Sequence, residues 1–222
     1  LPRQLVLAQA VLDYGSFQPA GAALDAAREL FGALPRDGDA RLRITGGLAM
    51  EHEELSTVRQ GAEWIGLLTL VLVGLVLAIG LRSVRLVLTS LVALVVGLLY
   101  TTAFAALAVG HLNPISVAFG VLYIGLGADY AIHLTLRYRE GIEAGRSHLD
   151  ALGDAAGDVG SSLVLCTLTT AIGFYAFVPT AYRGVSELGL ISGTGMFVGL
   201  FVSLTVLPAL LSVWPYRRAP RR

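Results

Sequence analysis

A chain of 222 residues in which 55% of side chains are hydrophobic and 14% charged, with a mean hydropathy of +0.71, lacks the polar surface of a water-soluble globule and reads as a membrane chain. Its 16 basic residues, all Arg, cancel its 16 acidic ones, so no overall positive field argues for a nucleic-acid partner. One cysteine, Cys166, excludes an internal disulfide framework, and four scattered His residues offer no metal-ligand spacing.

Residues 1–63 differ from the rest, with nine acids, six Arg and turn signals at Pro19, Pro35 and Arg36-Asp37-Gly38-Asp39. They read as a soluble extramembrane segment. Ala20 to Leu34 has helical spacing, Leu42-Arg43-Ile44-Thr45 alternates like a short strand before Gly46-Gly47, and Glu51 to Glu63 forms a polar helix leading into the first apolar run. A helix, one strand and a feeder helix bury too little for an independent core, so the segment is expected to be a small α+β remnant whose strand partners lie elsewhere. The chain opens at Leu1 rather than Met and has no cationic leader before an apolar core. It is therefore expected to be a piece of a longer polypeptide.

Five apolar runs follow, each about the 20 helical residues needed to cross a bilayer: Trp64 to Leu81, Leu86 to Gly110, about Pro114 to Leu136, Val159 to Pro179, and Leu188 to Trp214. They predict an all-α membrane protein with a five-helix transmembrane bundle over 64–214 and a basic tail over 215–222. Residues 141–158 mix Glu143, Arg146, Asp150, Asp154 and Asp158 with Ile142, Leu149 and Leu152. This pattern predicts an amphipathic helix along the membrane surface before the fourth span. Arg marks one side of the bundle: Arg82 and Arg85; Arg137, Arg139 and Arg146; and Arg217, Arg218, Arg221 and Arg222, against Arg183 alone on the other side. By the positive-inside bias the C-terminus is cytoplasmic and residues 1–63 are extracytoplasmic.

Asp129 is the one charge inside a span. A carboxylate at that depth costs several kcal/mol unless it is paired, hydrated or protonated. It could be a neutral acid bonded to a neighbouring helix, or a group that takes a proton from one side and releases it to the other. Gly125 and Gly127 precede it and allow another helix to approach closely. Tyr130 could donate a hydrogen bond across a helix interface or simply fill space. His133, at i+4 on the same face, could relay a proton or be solvated at the helix end. Ser161, Ser162, Thr167, Thr169 and Thr170 in the fourth span could solvate a proton path, although such hydroxyls commonly bond their own backbone. The runs Gly189 to Gly193 and Gly195 to Gly199 have the small-xxx-small spacing of packed membrane helices. No phosphate loop, Ser/His/Asp arrangement or catalytic carboxylate pair occurs outside the spans, so neither an enzyme nor a bound cofactor is expected.

Gly125-x-x-x-Asp129-Tyr130, then Ala131-Ile132-His133 and Arg137-Tyr138-Arg139-Glu140, resembles the fourth transmembrane helix of RND-superfamily transporters of the MMPL type. Leu168 to Phe174 resembles the family's fifth helix and Leu204 to Leu211 the end of its sixth, so the five spans would be helices two to six of one half. Leu42 to Gly46 with the acidic helix Glu51 to Glu63 is similar to the end of the porter domain, particularly in hopanoid-transporter (HpnN-like) members. The resemblance implies a bacterial inner-membrane, proton-driven exporter of lipids or other hydrophobic molecules. Asp129, Tyr130 and His133 would serve proton coupling, and Gly125, Gly127, Thr169 and Thr170 would pack around them. Membrane lipids would be the surroundings and the substrate, and a second transmembrane half or another subunit would complete the cycle. The chain has no Lys, so the cationic partner of the multidrug branch cannot come from it, and Asp–Tyr pairing is the better fit. Two other classes share the architecture: a sterol-sensing-type regulatory module, and an assembly subunit that transports nothing.

Overall fold

The computed structural model describes residues 8–9, 21–33, 43–110, 112–113 and 115–216. The turn signals at Pro19, Pro35 and 36–39, together with Ala20, Leu34, Leu42, Pro114 and the Arg-rich tail 217–222, lie outside the described residues. The chain divides into two compact units, Leu1–Gly61 and Ala62–Arg222.

In the first unit, α1 spans Gly21–Ala33, with Leu30 exposed. Arg43, Ile44 and Thr45 form no strand, and no strand occurs among the described residues, which corrects the expectation of an α+β remnant. The physical reason is the lack of a partner: a lone extended segment leaves its N–H and C=O groups unpaired, and alternation alone cannot supply a second strand. Gly46, at φ 122°, turns the chain so that its carbonyl accepts the Met50 amide at 3.1 Å. There α2 begins, and it runs over Gly47–Leu81 across the division between the units. The polar stretch 51–63 is helical and continuous with the first span, as its composition predicts.

The second unit contains five helical stretches long and apolar enough to cross a membrane: Trp64–Leu81, Val84–Ala108, Ser116–Glu143, His148–Tyr175 and Arg183–Val213. They expose large apolar side chains such as Trp64, Leu107 and Phe201, a surface that suits lipid rather than water. This is a multi-pass membrane protein. Within it α3 is Val84–Ala108, a 3-10 turn over Ser116–Ala118 leads into α4, Phe119–Glu143, and α5 is His148–Tyr175. The last span is broken into α6, Arg183–Leu204, and α7, Val206–Val213. Pro208 explains the break: its ring crowds the carbonyl four residues back, at Leu204, and it has no N–H to donate there. The chain bends at Thr205, whose hydroxyl donates to the Phe201 carbonyl at 2.6 Å.

Residues 141–158 do not form a helix of their own. They are the last turn of α4, a turn containing Gly145 at φ 88°, and the first turns of α5, which continues unbroken to Tyr175. Ala151 and Ala155 are fully buried, and Ala151 packs against Gly141. The small-residue side of the segment therefore seals the α4–α5 hairpin. Ser147 caps α5 by accepting the Asp150 amide at 3.2 Å.

Helices α4 and α6 form the central pair: α4 packs on α3, α5 and α6, and α6 packs on α3, α4 and α5. Glycines make these approaches possible. A methyl at Gly189 would stand 2.5 Å from the Phe174 carbonyl oxygen, and one at Gly193 would meet the Tyr175 ring. The main apolar core lies toward the Arg-rich end, around Leu81, Leu86, Leu134, Tyr138, Leu207 and Leu211.

Candidate functional site on helix four

The sides of α4 differ sharply. Tyr123, Gly127, Tyr130, Leu134 and Tyr138 are buried, whereas Leu122, Gly125, Asp129, His133 and Arg137 are exposed. The exposed positions recur about every four residues and so lie in one stripe along the helix. Asp129 sits in the middle of that stripe with His133 one turn toward the Arg-rich end. Among the described residues no side chain donates a hydrogen bond to Asp129. A Cβ at Gly125 would meet nothing within 4 Å, so none of the other described helices approaches there.

Gly127, on the opposite flank, serves a different neighbour. A Cβ there would stand 2.8 Å from Leu94 Cδ1 and 3.5 Å from the Tyr123 ring, so this glycine admits α3 rather than a partner for Asp129.

Tyr130 is also turned inward, with 2% of its surface exposed. Its hydroxyl lies 2.8 Å from Thr167 Oγ1, and Thr167 in turn donates to the Leu163 carbonyl at 2.8 Å. The Thr167 proton is thus committed to its own helix, leaving Tyr130 to donate and Thr167 to accept. The Tyr130 ring fills the space beside Gly199 of α6, where a Cβ would stand 3.5 Å from it. Asp129 and Tyr130, adjacent in sequence, therefore face different surroundings, because successive helical residues are turned by about 100°.

Helix α5 flanks the stripe. Arg137 donates to Asp158 Oδ2 through Nε at 2.8 Å and through its terminal nitrogen at 2.6 Å, and also binds Glu140 at 2.9 Å. From Asp158, the positions Ser162, Cys166 and Thr169 follow at helical spacing, all exposed. Thr169 donates to the Leu165 and Cys166 carbonyls, each at 3.0 Å, and Thr170 is half-buried. The residue that sequence reasoning left without a role of its own is Thr167. Its polarity was visible, but an inward hydroxyl cannot be told from an outward one in a run without polar periodicity.

At the end opposite the Arg-rich one, Asn113 Oδ1 accepts the Ile115 and Ser116 amides at 2.9 and 2.8 Å and so starts the 3-10 turn before α4. Asn113 Nδ2 donates to Glu187 Oε2 at 2.5 Å, and Arg183 Nε lies 2.9 Å from the other Glu187 oxygen. Glu187, on the second turn of α6, is thereby buried with its charge satisfied. Among the described residues no group of His, Cys, Asp and Glu is arranged to hold a metal ion.

Comparison with known proteins finds relatives named as transporters. Over 214 residues, 96% of this chain and 24% of the relative, the sequence is 44% identical to the hopanoid transporter HpnN of Burkholderia multivorans. It is 39% identical to the HpnN of Rhodopseudomonas palustris over 95% of this chain and 24% of that protein. It is 31% identical over 54% of its length, and 11% of the relative's, to the sulfolipid-1 exporter MmpL8 of Mycobacterium tuberculosis. The chain thus spans about a quarter of the length of the two hopanoid transporters. The MMPL family model matches residues 6–222, nearly the whole sequence, and the chain belongs to the MMPL family.

Proposed function

We propose that these residues are the second to sixth transmembrane helices of one half of a proton-driven RND-type exporter, with Asp129 carrying the proton. The cargo is a lipid or another hydrophobic molecule, a hopanoid being the first candidate from the names of the two relatives matched over almost all of this chain. It is moved without chemical change. The membrane is the bacterial inner membrane, with residues 1–63 outside the cytoplasm and the Arg-rich ends inside, as the Arg bias requires.

The single observation that carries this reading is the placement of Asp129. An acid within a span faces out of its own bundle, accepts no hydrogen bond from the described residues, and sits above a histidine on a stripe that includes a glycine. An ionised carboxylate left in contact with lipid would be costly, so the stripe calls for a polar or proton-bearing partner from outside these helices. The greater length of the relatives leaves room for a second transmembrane half to supply it. His133 extends the stripe toward the cytoplasmic end as a relay. Tyr130 contributes by fixing the roll of α4 through Thr167.

The test is Asp129→Asn in the natural polypeptide that carries this sequence, reconstituted with an imposed proton gradient. Asn keeps the shape and cannot release a proton, so we expect cargo movement to fall by about a hundredfold or more while expression and insertion stay normal. Asp129→Leu should also insert normally. Undiminished export by Asp129→Asn would remove Asp129 from the coupling, and collapse of expression in both variants would make it a packing residue.

A further inference from the structure

Helix α2 is buried most deeply against the bundle at one end, with Leu70 and Val73 only partly buried at mid-length. Its apolar length exposes Trp64, Leu68, Leu72, Val76 and Ile79, whereas Leu77 and Leu81, near its Arg-rich end, are each 1% exposed within the main core. Immediately beyond, Arg82 takes a left-handed φ of 48°. Such a conformation is strained for a side chain as large as arginine and ends the helix abruptly. The last carbonyls of a helix have no partners within it and form the negative end of its dipole.

Arg139 meets those carbonyls. It donates to the Leu81 carbonyl at 2.9 Å and the Gly80 carbonyl at 3.3 Å, while its Nε lies 3.1 Å from Glu143 Oε1. Arg139 stands on α4, ten residues after Asp129, about 15 Å along the same helix at 1.5 Å per residue. Glu143 is held in turn by the Tyr216 hydroxyl at 3.3 Å, and the Tyr216 amide donates to Tyr138 at 3.3 Å. An arginine serving only as an interfacial anchor would extend its guanidinium into water or headgroups. This one is 21% exposed and is spent on another helix's terminus.

We infer that Arg139 is a positioning residue that couples α4 to α2, so that a shift of α4 on protonation of Asp129 is carried to α2 through the Leu81 and Gly80 carbonyls. The inference rests on the reading of Asp129 as the proton carrier. The coupling has a direction: α2 leads by chain continuity from the segment before Trp64 into the bundle, and its weakly packed membrane length can pivot about its fastened end. Both carbonyl bonds come from one guanidinium nitrogen, Nη1, while Nε stands in ion-pair contact with Glu143, so a lysine ammonium can replace the carbonyl bonds but not both contacts together.

The experiment uses the natural polypeptide in liposomes, with Cys166→Ser and spin labels at Leu68→Cys on α2 and Leu107→Cys on α3, both exposed positions. The distance distribution between the labels is compared with and without D129N, in the presence of the native Arg139, R139K or R139A. With Arg139, D129N should displace the distribution. With R139A that displacement should vanish and cargo export should fall about tenfold, while the pH midpoint of the remaining transport is unchanged. R139K should restore the displacement in part. A displacement that survives R139A overturns the inference, as does the absence of any displacement with Arg139 intact. If R139A is not produced, R139K decides: a reduced displacement supports the coupling and a full one overturns it. Export retained by D129N is a separate readout and would fail the proton-carrier reading itself.

Discussion

The inward and outward sides of α4 are made from similar residue types and do opposite things. Inward, Gly127 admits Leu94 of α3, Tyr130 is bonded to Thr167 of α5, and Tyr138 is fully buried with its hydroxyl 2.8 Å from His148 Nδ1. Each hydroxyl in that description has a partner in this chain. Outward, a Cβ at Gly125 would meet no described residue within 4 Å, and Asp129 and His133 are exposed. A glycine and a ring occur on both sides of α4, whereas the acid occurs on the outward side alone, where no described side chain donates to it. In a membrane, where lipid cannot satisfy a polar group, that outward side is the place to look for function.

The contrast can be broken by substitution. Its largest effect is the expected loss of export in Asp129→Asn, because that change removes the proposed proton carrier and leaves packing alone. Next is a pair of glycine substitutions. Gly189→Ala puts a methyl 2.5 Å from a backbone oxygen of α5, which cannot swing aside, and should cost about 1–3 kcal/mol by overpacking, read as a lower melting midpoint in detergent. Gly125→Leu should leave that midpoint unchanged and lower export, because the space beside Gly125 is empty only of this chain's own helices. Destabilisation by Gly125→Leu without loss of export would reverse the assignment of the two sides.

Smaller effects sharpen the comparison. Tyr130→Phe removes one buried hydrogen bond while Thr167 keeps its bond to Leu163. The stability loss should be about 1 kcal/mol, and export should fall about tenfold as the roll of α4 loosens. A loss as complete as that of Asp129→Asn would move Tyr130 from holding the helix to carrying the proton. The mildest change is His133→Ala, for which export should drop about two- to threefold and its pH profile should change, since the ring stands one turn from Asp129 on the exposed stripe. A pH profile like that of the unaltered protein would retire the relay.

Much of the fold is legible because lipid imposes a simple rule. Runs of some twenty uncharged residues become helices wherever they occur, and the five spans lie close to their expected places. The break at Thr205 was also within reach, since Pro208 was in view and its effect falls four residues back. The short strand at Leu42 to Thr45 failed for a different reason: alternation is a property of one segment and pairing a property of two. The turn that interrupts residues 141–158 was not legible, because the left-handed Gly145 and the packing of Ala151 on Gly141 belong to the hairpin and not to either helix alone.

The sequence by itself determined that this is a five-span membrane chain of the MMPL family, and it singled out Asp129, because a charge inside an apolar run stands out without any knowledge of its neighbours. Only the tertiary structure decided that Asp129 faces outward while Tyr130 faces Thr167, that Gly125 and Gly127 serve different sides, and that Arg139 closes the end of α2. In helices apolar all round there is no polar period to reveal which side turns inward, so the roll of each helix is set by the shapes that meet it.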